Sequence, residues 1–123
     1  LDEWISLAEE MKRQGTLYLL LTGGEPLLWP DFWTLYEKLH QMGFLISINT
    51  NGSLIDDTVI QRLSKMPPNR VNITLYGASE ETYYNLCGVH GVYAQVVNAI
   101  LKLKRPESLL GLMVHLHQIM QKI

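Results

Sequence analysis

The sequence predicts an α/β fold of parallel strands with outer helices, and three observations predict it. Helical and strand signals alternate along the chain with short connections, which is the pattern of repeated βα units. The run from Thr16 to Thr22 is continuously apolar between Gly15 and Gly23, as expected of a strand buried on both faces of a parallel sheet. The chain has 123 residues, whereas a closed eight-stranded barrel takes about 250. The expected architecture is therefore an open piece of a (β/α) barrel.

Each element has its own signal. Leu1, Trp4, Ile5, Ala8 and Met11 fall at helical spacing, and Gly15 stops that helix. After the first strand, Pro30-Asp31 opens a second helix with Phe32, Leu35, Tyr36, Leu39 and Met42 on one face and Gly43 as its stop. Phe44 to Asn49 reads as the second strand, ended by the turn dipeptide Asn51-Gly52. Asp56 or Asp57 caps a third helix with Val59, Ile60 and Leu63, which Pro67-Pro68 terminate. Val71, Ile73 and Leu75 mark a third strand. Ser79 is an N-cap with Glu80 and Glu81 in the first turn, where the helix dipole favours negative charge; this short helix runs to about Leu86. A longer one carries Tyr93, Val96, Val97, Ile100 and Leu101 and ends before Pro106. Beyond it, Leu109, Met113, Leu116, Met120 and Ile123 are at helical spacing, and a helix is the favoured reading. A strand over Leu109–His117 is the alternative, with Gly111 inside it as a weakness.

Composition narrows the function classes. Hydrophobic content of 47% and charged content of 18% suit one folded domain. A net charge of −2 gives no electrostatic reason to expect nucleic acid or an acidic membrane as partner. The longest apolar runs, such as Leu17 to Leu21, are far too short to span a bilayer. A single cysteine, Cys87, excludes an internal disulfide framework and makes a cytoplasmic location the expectation.

In parallel α/β proteins, ligands sit at the C-terminal ends of the strands. Three such ends are legible: Thr22-Gly23-Gly24-Glu25-Pro26, Asn49-Thr50-Asn51-Gly52, and Thr74-Leu75-Tyr76-Gly77. In the first, two glycines let the backbone approach a ligand and take positive φ without steric cost, and the carboxylate that follows can face a cation. A tight strand-to-helix turn with an exposed Glu accounts for the same residues equally well.

The segment Leu20-Leu21-Thr22-Gly23-Gly24-Glu25-Pro26-Leu27-Leu28 resembles the GGE motif of radical S-adenosylmethionine (SAM) enzymes, in their second barrel strand. Further segments recur in family order: Pro30-Asp31-Phe32, Gly43-Phe44, Asn49-Thr50-Asn51-Gly52 with Leu54-Ile55, and Ile73-Thr74-Leu75-Tyr76-Gly77-Ala78-Ser79 with Glu81-Thr82-Tyr83. The resemblance covers roughly Leu1 to Leu103, and the Thr74–Tyr83 stretch looks most like the peptide-modifying branch, whose members often add a C-terminal SPASM domain. It implies a partial radical SAM core, from the first barrel helix through about the fourth strand, with residues 107–123 divergent. It also implies that Gly23, Gly24 and Glu25 bind the methionine end of SAM, with Glu25 receiving its amino group, and that Thr74 contacts the ribose. Asn51 faces the same mouth, where it contacts SAM or substrate or only forms the turn. The implied chemistry is reductive cleavage of SAM to a 5′-deoxyadenosyl radical, which abstracts hydrogen from a peptide or protein.

The departure from the family concerns its [4Fe–4S] cluster. Radical SAM enzymes hold it with three cysteines in a C-x3-C-x2-C loop after the first strand, upstream of the GGE motif. Here only Cys87 exists, and one thiolate cannot hold such a cluster. Cys87 is read as a small, buried structural residue, and no metal ligands are assigned: His115 and His117, or Cys87 and His90, make poor metal sites. Trp4, Trp29 and Trp33 are read as core or interdomain packing. The expectation is a truncated enzyme, inactive alone and lacking the first strand, its cluster loop and the closing half, with open sheet edges that invite self-association. The alternative is a cluster-less SAM-binding or interaction module of the same fold.

Overall fold

The computed structural model describes residues 1–104 and 113–118. Its elements follow in the order α1 (Asp2–Arg13), β1 (Tyr18–Leu21), a single 3₁₀ turn (Pro26–Leu28), α2 (Phe32–Gln41), β2 (Leu45–Thr50), α3 (Asp57–Lys65), β3 (Arg70–Leu75), α4 (Glu80–Cys87), α5 (Val92–Leu103) and β4 (Met113–Gln118). The strands form one parallel sheet in the order β1-β2-β3-β4. Strands consecutive in the chain are thus neighbours in the sheet, as the βα alternation predicts.

Helix starts follow local chemistry. The Asp56 carboxylate accepts the Val59 N–H at 2.8 Å and opens α3; the Ser79 hydroxyl accepts the Thr82 N–H at 3.2 Å and opens α4. The 3₁₀ turn carries no sequence signal of its own beyond Pro26, and Glu25 caps it.

The core lies on one face of the sheet. Ile46 and Ile48 of β2 and Val71 and Ile73 of β3 are each at most 2% exposed, and they belong to one apolar cluster with Phe32, Tyr36 and Leu39 of α2, Leu63 of α3, and Val96, Ala99 and Leu103 of α5. Burying such a side chain contributes about 1.5–3 kcal/mol. Tyr36 is fully buried and satisfies its hydroxyl by donating to the Met66 carbonyl at 2.7 Å.

Three sequence expectations are corrected. β1 is not buried on both faces: Tyr18 is 64% and Leu20 52% exposed, while Leu19 and Leu21 pack against the core. Among the described residues β1 pairs only with β2. The helix expected over 109–123 gives way to a strand at Met113–Gln118, which pairs with all six residues of β3. A short apolar run fits both periods, and backbone pairing along β3 outweighs the local 3.6-residue spacing. That strand begins two residues after Gly111; residues 109–112 and 119–123 lie outside the described residues. Finally, Cys87 is exposed at the last turn of α4, because that helix buries only Tyr83.

Candidate functional site at the strand ends

β1 ends at Leu21, and the chain leaves the sheet through Thr22-Gly23-Gly24. Gly23 has φ of +145°, which disfavours any side chain there. Gly24 is different. Its φ lies outside the positive region, and a Cβ built on it meets no atom within 4 Å, so the chain's own packing does not require a glycine. Both glycines line an open cleft of about 520 Å³ whose other walls include Trp4, Glu25, Trp29 and Leu35. Trp4 and Trp29, read from the sequence as packing residues, are therefore walls of this cleft.

The Glu25 carboxylate is turned towards the end of β2. It accepts the Thr50 hydroxyl at 2.8 and 3.0 Å, the Asn51 N–H at 2.8 Å and the Leu27 N–H at 3.2 Å. Thr50 is 4% exposed, and its oxygen also accepts the Gly52 N–H at 3.1 Å. A carboxylate offers about four acceptor positions, and Leu27, Thr50 and Asn51 make four contacts to them, two on each oxygen. Gly52 closes the turn with φ of +79°; a Cβ there would sit 3.1 Å from Ile73 Cγ2.

Of the residues singled out in the sequence, Gly23, Gly24 and Glu25 share the cleft, and Asn51 joins them through its backbone N–H. The Asn51 side chain is held in the turn, its Oδ1 accepting the Ser53 N–H at 2.9 Å and the Ser53 hydroxyl at 2.7 Å. Thr74 is half-buried next to the end of β3 and does not line the cleft. Thr50 was missed. Its signal was a hydroxyl at a core position in an alternating strand, between Ile48 and Gly52. Behind the third strand end, Tyr83 is buried, its hydroxyl accepts the Tyr76 N–H at 3.2 Å, and burial pushes its phenol up from the ordinary value.

The residues present leave room for the methionine end of SAM: an open cleft at Gly24, where a built Cβ meets no atom within 4 Å, with the Glu25 carboxylate lining it. They do not fit an iron–sulfur cluster. Among the described residues no three His, Cys, Asp or Glu side chains converge, and the one cysteine is on α4.

The chain belongs to the radical SAM superfamily, whose pattern it matches over residues 1–118. It is 27% identical over 106 residues to the AdoMet-dependent heme synthase of Methanosarcina barkeri, covering 86% of this chain and 30% of that protein. It is 34% identical over 96 residues to the mycofactocin maturase MftC of Mycobacterium ulcerans, covering 76% of this chain and 25% of that one. The fold matches Streptococcus suis SuiB bound to its precursor peptide SuiA with a TM-score of 0.79, at 20% identity, over 99% of this chain and 26% of SuiB. SuiB bound to S-adenosylmethionine matches with a TM-score of 0.74, at 20% identity, over 94% of this chain and 26% of SuiB. The chain thus spans between a quarter and a third of the length of these relatives.

Proposed function

We propose that this chain is the SAM-binding part of a longer, cytoplasmic radical SAM enzyme that acts on a peptide or protein, and that it is inactive alone. The observation that carries the reading is the Gly23-Gly24-Glu25 turn, held to the end of β2 through Thr50 and Asn51 beside an open cleft. The Gly24 backbone receives the methionine end of SAM, Glu25 faces its amino group, and Thr74, outside the cleft near the end of β3, meets the ribose. Asn51 serves through its N–H, which fixes Glu25. When bound and cleaved reductively, SAM supplies the 5′-deoxyadenosyl radical that abstracts hydrogen from substrate. Kinship with MftC and the fold shared with peptide-bound SuiB support a peptide as that substrate. Full-length protein, reconstituted with iron and sulfide and given SAM and a reductant, is expected to form 5′-deoxyadenosine. A protein that carries a full cluster and forms none would sink the proposal.

One observation favours a second reading, a cluster-less SAM-binding or interaction module: 123 residues contain one cysteine. A C-x3-C-x2-C segment encoded upstream of Leu1 decides for the enzyme.

A further inference from the structure

The pairing of β3 with β2 ends at Ile73, opposite Thr50; beyond it, among the described residues, Thr74 and Leu75 pair only with β4. Thr74 therefore stands where β3 has lost one of its two neighbours. The next anchor on that stretch comes from α4. Tyr83 is the one buried residue of α4, and its hydroxyl accepts the Tyr76 N–H at 3.2 Å, two positions beyond Thr74. Its ring meets that of Tyr76 edge-on, with centroids 6.0 Å apart at 78°, and lies 5.4 Å from the ring of Tyr93 on α5. Gly77 completes the seat. A Cβ there would lie 2.4 Å from Thr82 Cγ2 and 2.6 Å from Thr82 Cβ, so a side chain at 77 would push α4 off the strand end. The Thr82 hydroxyl is bonded to that of Ser79 at 3.0 Å, and the Ser79 hydroxyl also accepts the Thr82 N–H, which holds Thr82 in this orientation. The short helix is thus seated on the Tyr76–Gly77 backbone by two residues, Thr82 and Tyr83.

We infer that Tyr83 is a positioning residue for SAM: through the Tyr76 N–H it sets the end of β3, and with it the Thr74 hydroxyl. The inference deepens the proposed function and rests on it, since it takes Thr74 as the residue that meets the ribose. Tyr83 is 1% exposed and touches no ligand itself. Its phenol oxygen is the acceptor that holds the Tyr76 N–H once the pairing with β2 has ended. A phenylalanine would fill the same space between Tyr76 and Tyr93 but leave that N–H without its acceptor. If Tyr83 only packs, losing the oxygen costs stability and leaves SAM binding alone. If it positions Thr74, the loss reaches SAM, and only while Thr74 has a hydroxyl to place.

The test is a calorimetric titration of SAM into full-length wild type, Tyr83→Phe, Thr74→Val and the double variant. Tyr83→Phe is expected to weaken SAM binding roughly threefold to tenfold, the worth of one hydrogen bond. The double variant is expected to bind no more weakly than Thr74→Val, because two changes that act through one hydroxyl do not add. Gly77→Ala, which displaces Thr82 while Tyr83 stays intact, is expected to reproduce the loss seen in Tyr83→Phe. The inference is overturned if either Tyr83→Phe or Gly77→Ala binds SAM as wild type does. It is equally overturned if the effects of Tyr83→Phe and Thr74→Val add in full, or if Thr74→Val leaves SAM affinity unchanged. The radical SAM reading is judged separately, by 5′-deoxyadenosine formation in the wild-type protein.

Discussion

The hydroxyl of Thr50 donates to both carboxylate oxygens of Glu25, at 2.8 and 3.0 Å, and so ties together two strand ends that lie 25 residues apart in the chain. The same oxygen accepts the Gly52 N–H, and the neighbouring Asn51 N–H completes the clamp on Glu25. A buried hydroxyl with both a donor and an acceptor role cannot be replaced by a methyl group without stranding its partners. Thr50→Val should therefore cost about 1–3 kcal/mol of stability, and should weaken SAM binding in the full-length protein by releasing Glu25. Thr50→Ser, which keeps the hydroxyl, should restore most of the SAM affinity. Denaturant unfolding and SAM titration of both variants check this, and equal SAM affinity in wild type and Thr50→Val would refute the positioning role.

Glu25 and Gly24 should separate a ligand site from a turn. Glu25→Gln loses a charge-assisted hydrogen bond to an ammonium, worth about 1.5–3 kcal/mol, and should depress SAM cleavage accordingly. Gly24→Val should be at least as damaging, although no atom of the chain lies within 4 Å of the new Cβ; the obstruction would be to the ligand. Thr74→Val should be milder, removing one neutral hydrogen bond of about 1 kcal/mol. The readout is 5′-deoxyadenosine formed by full-length variants whose folding is checked separately. Wild-type rates for both Glu25→Gln and Gly24→Val would leave the motif as a turn.

The parallel order of the first three strands was legible because each strand is a short apolar run set between helix signals, and the caps at Asp56 and Ser79 were legible because short polar side chains there have one local job. Gly23, Gly24 and Glu25 stood out as a candidate site through the family resemblance, since the residues by themselves left a tight turn equally open. Three features escaped for tertiary reasons. β4 forms where β3 offers it backbone partners, which no local period encodes. Leu20 is 52% exposed at the cleft on β1, although its neighbours read as a buried run. The partnership of Thr50 with Glu25 spans two strands, and a threonine at a core position could equally have bonded its own backbone.

Gly52 should tolerate no side chain. Its φ of +79° strains any L-residue, and an added Cβ would meet Ile73 at 3.1 Å and Val96 at 3.4 Å. Gly52→Ala should lower stability by about 1–3 kcal/mol. It should also disturb the clamp, since the Gly52 N–H bonds Thr50. Thermal unfolding gives the first effect; an unchanged midpoint would mean the turn relaxes freely.

Cys87 should be a reactive-accessible but non-ligating thiol. It is exposed at the end of α4, and among the described residues it has no cluster of possible metal ligands around it. A maleimide reagent should label it in the folded protein at close to the rate of a free thiol. Iron and sulfide reconstitution of this chain should yield no stoichiometric [4Fe–4S] centre, with the same residual iron in Cys87→Ala. A Mössbauer spectrum of one cluster per chain, lost in that variant, would contradict the ligand count.

Tyr36 should make the protein sensitive to alkali. It is fully buried beneath the sheet, and desolvation raises its phenol well above the ordinary value near 10. In the unfolded chain the phenol loses its proton at about pH 10; in the folded protein it keeps it. Above that pH the folded state therefore binds more protons than the unfolded one, and stability falls as pH rises, by up to about 1.4 kcal/mol per pH unit from this group. Below about pH 10 both states are protonated and the full contribution is present. Tyr36→Phe removes the ionisation along with the bond to the Met66 carbonyl. It should be less stable than wild type by about 1 kcal/mol at neutral pH, with the gap closing and then reversing as pH climbs past 10. Denaturant midpoints measured from pH 7 to 11 for both proteins decide it: parallel pH profiles would show that Tyr36 ionises as readily folded as unfolded.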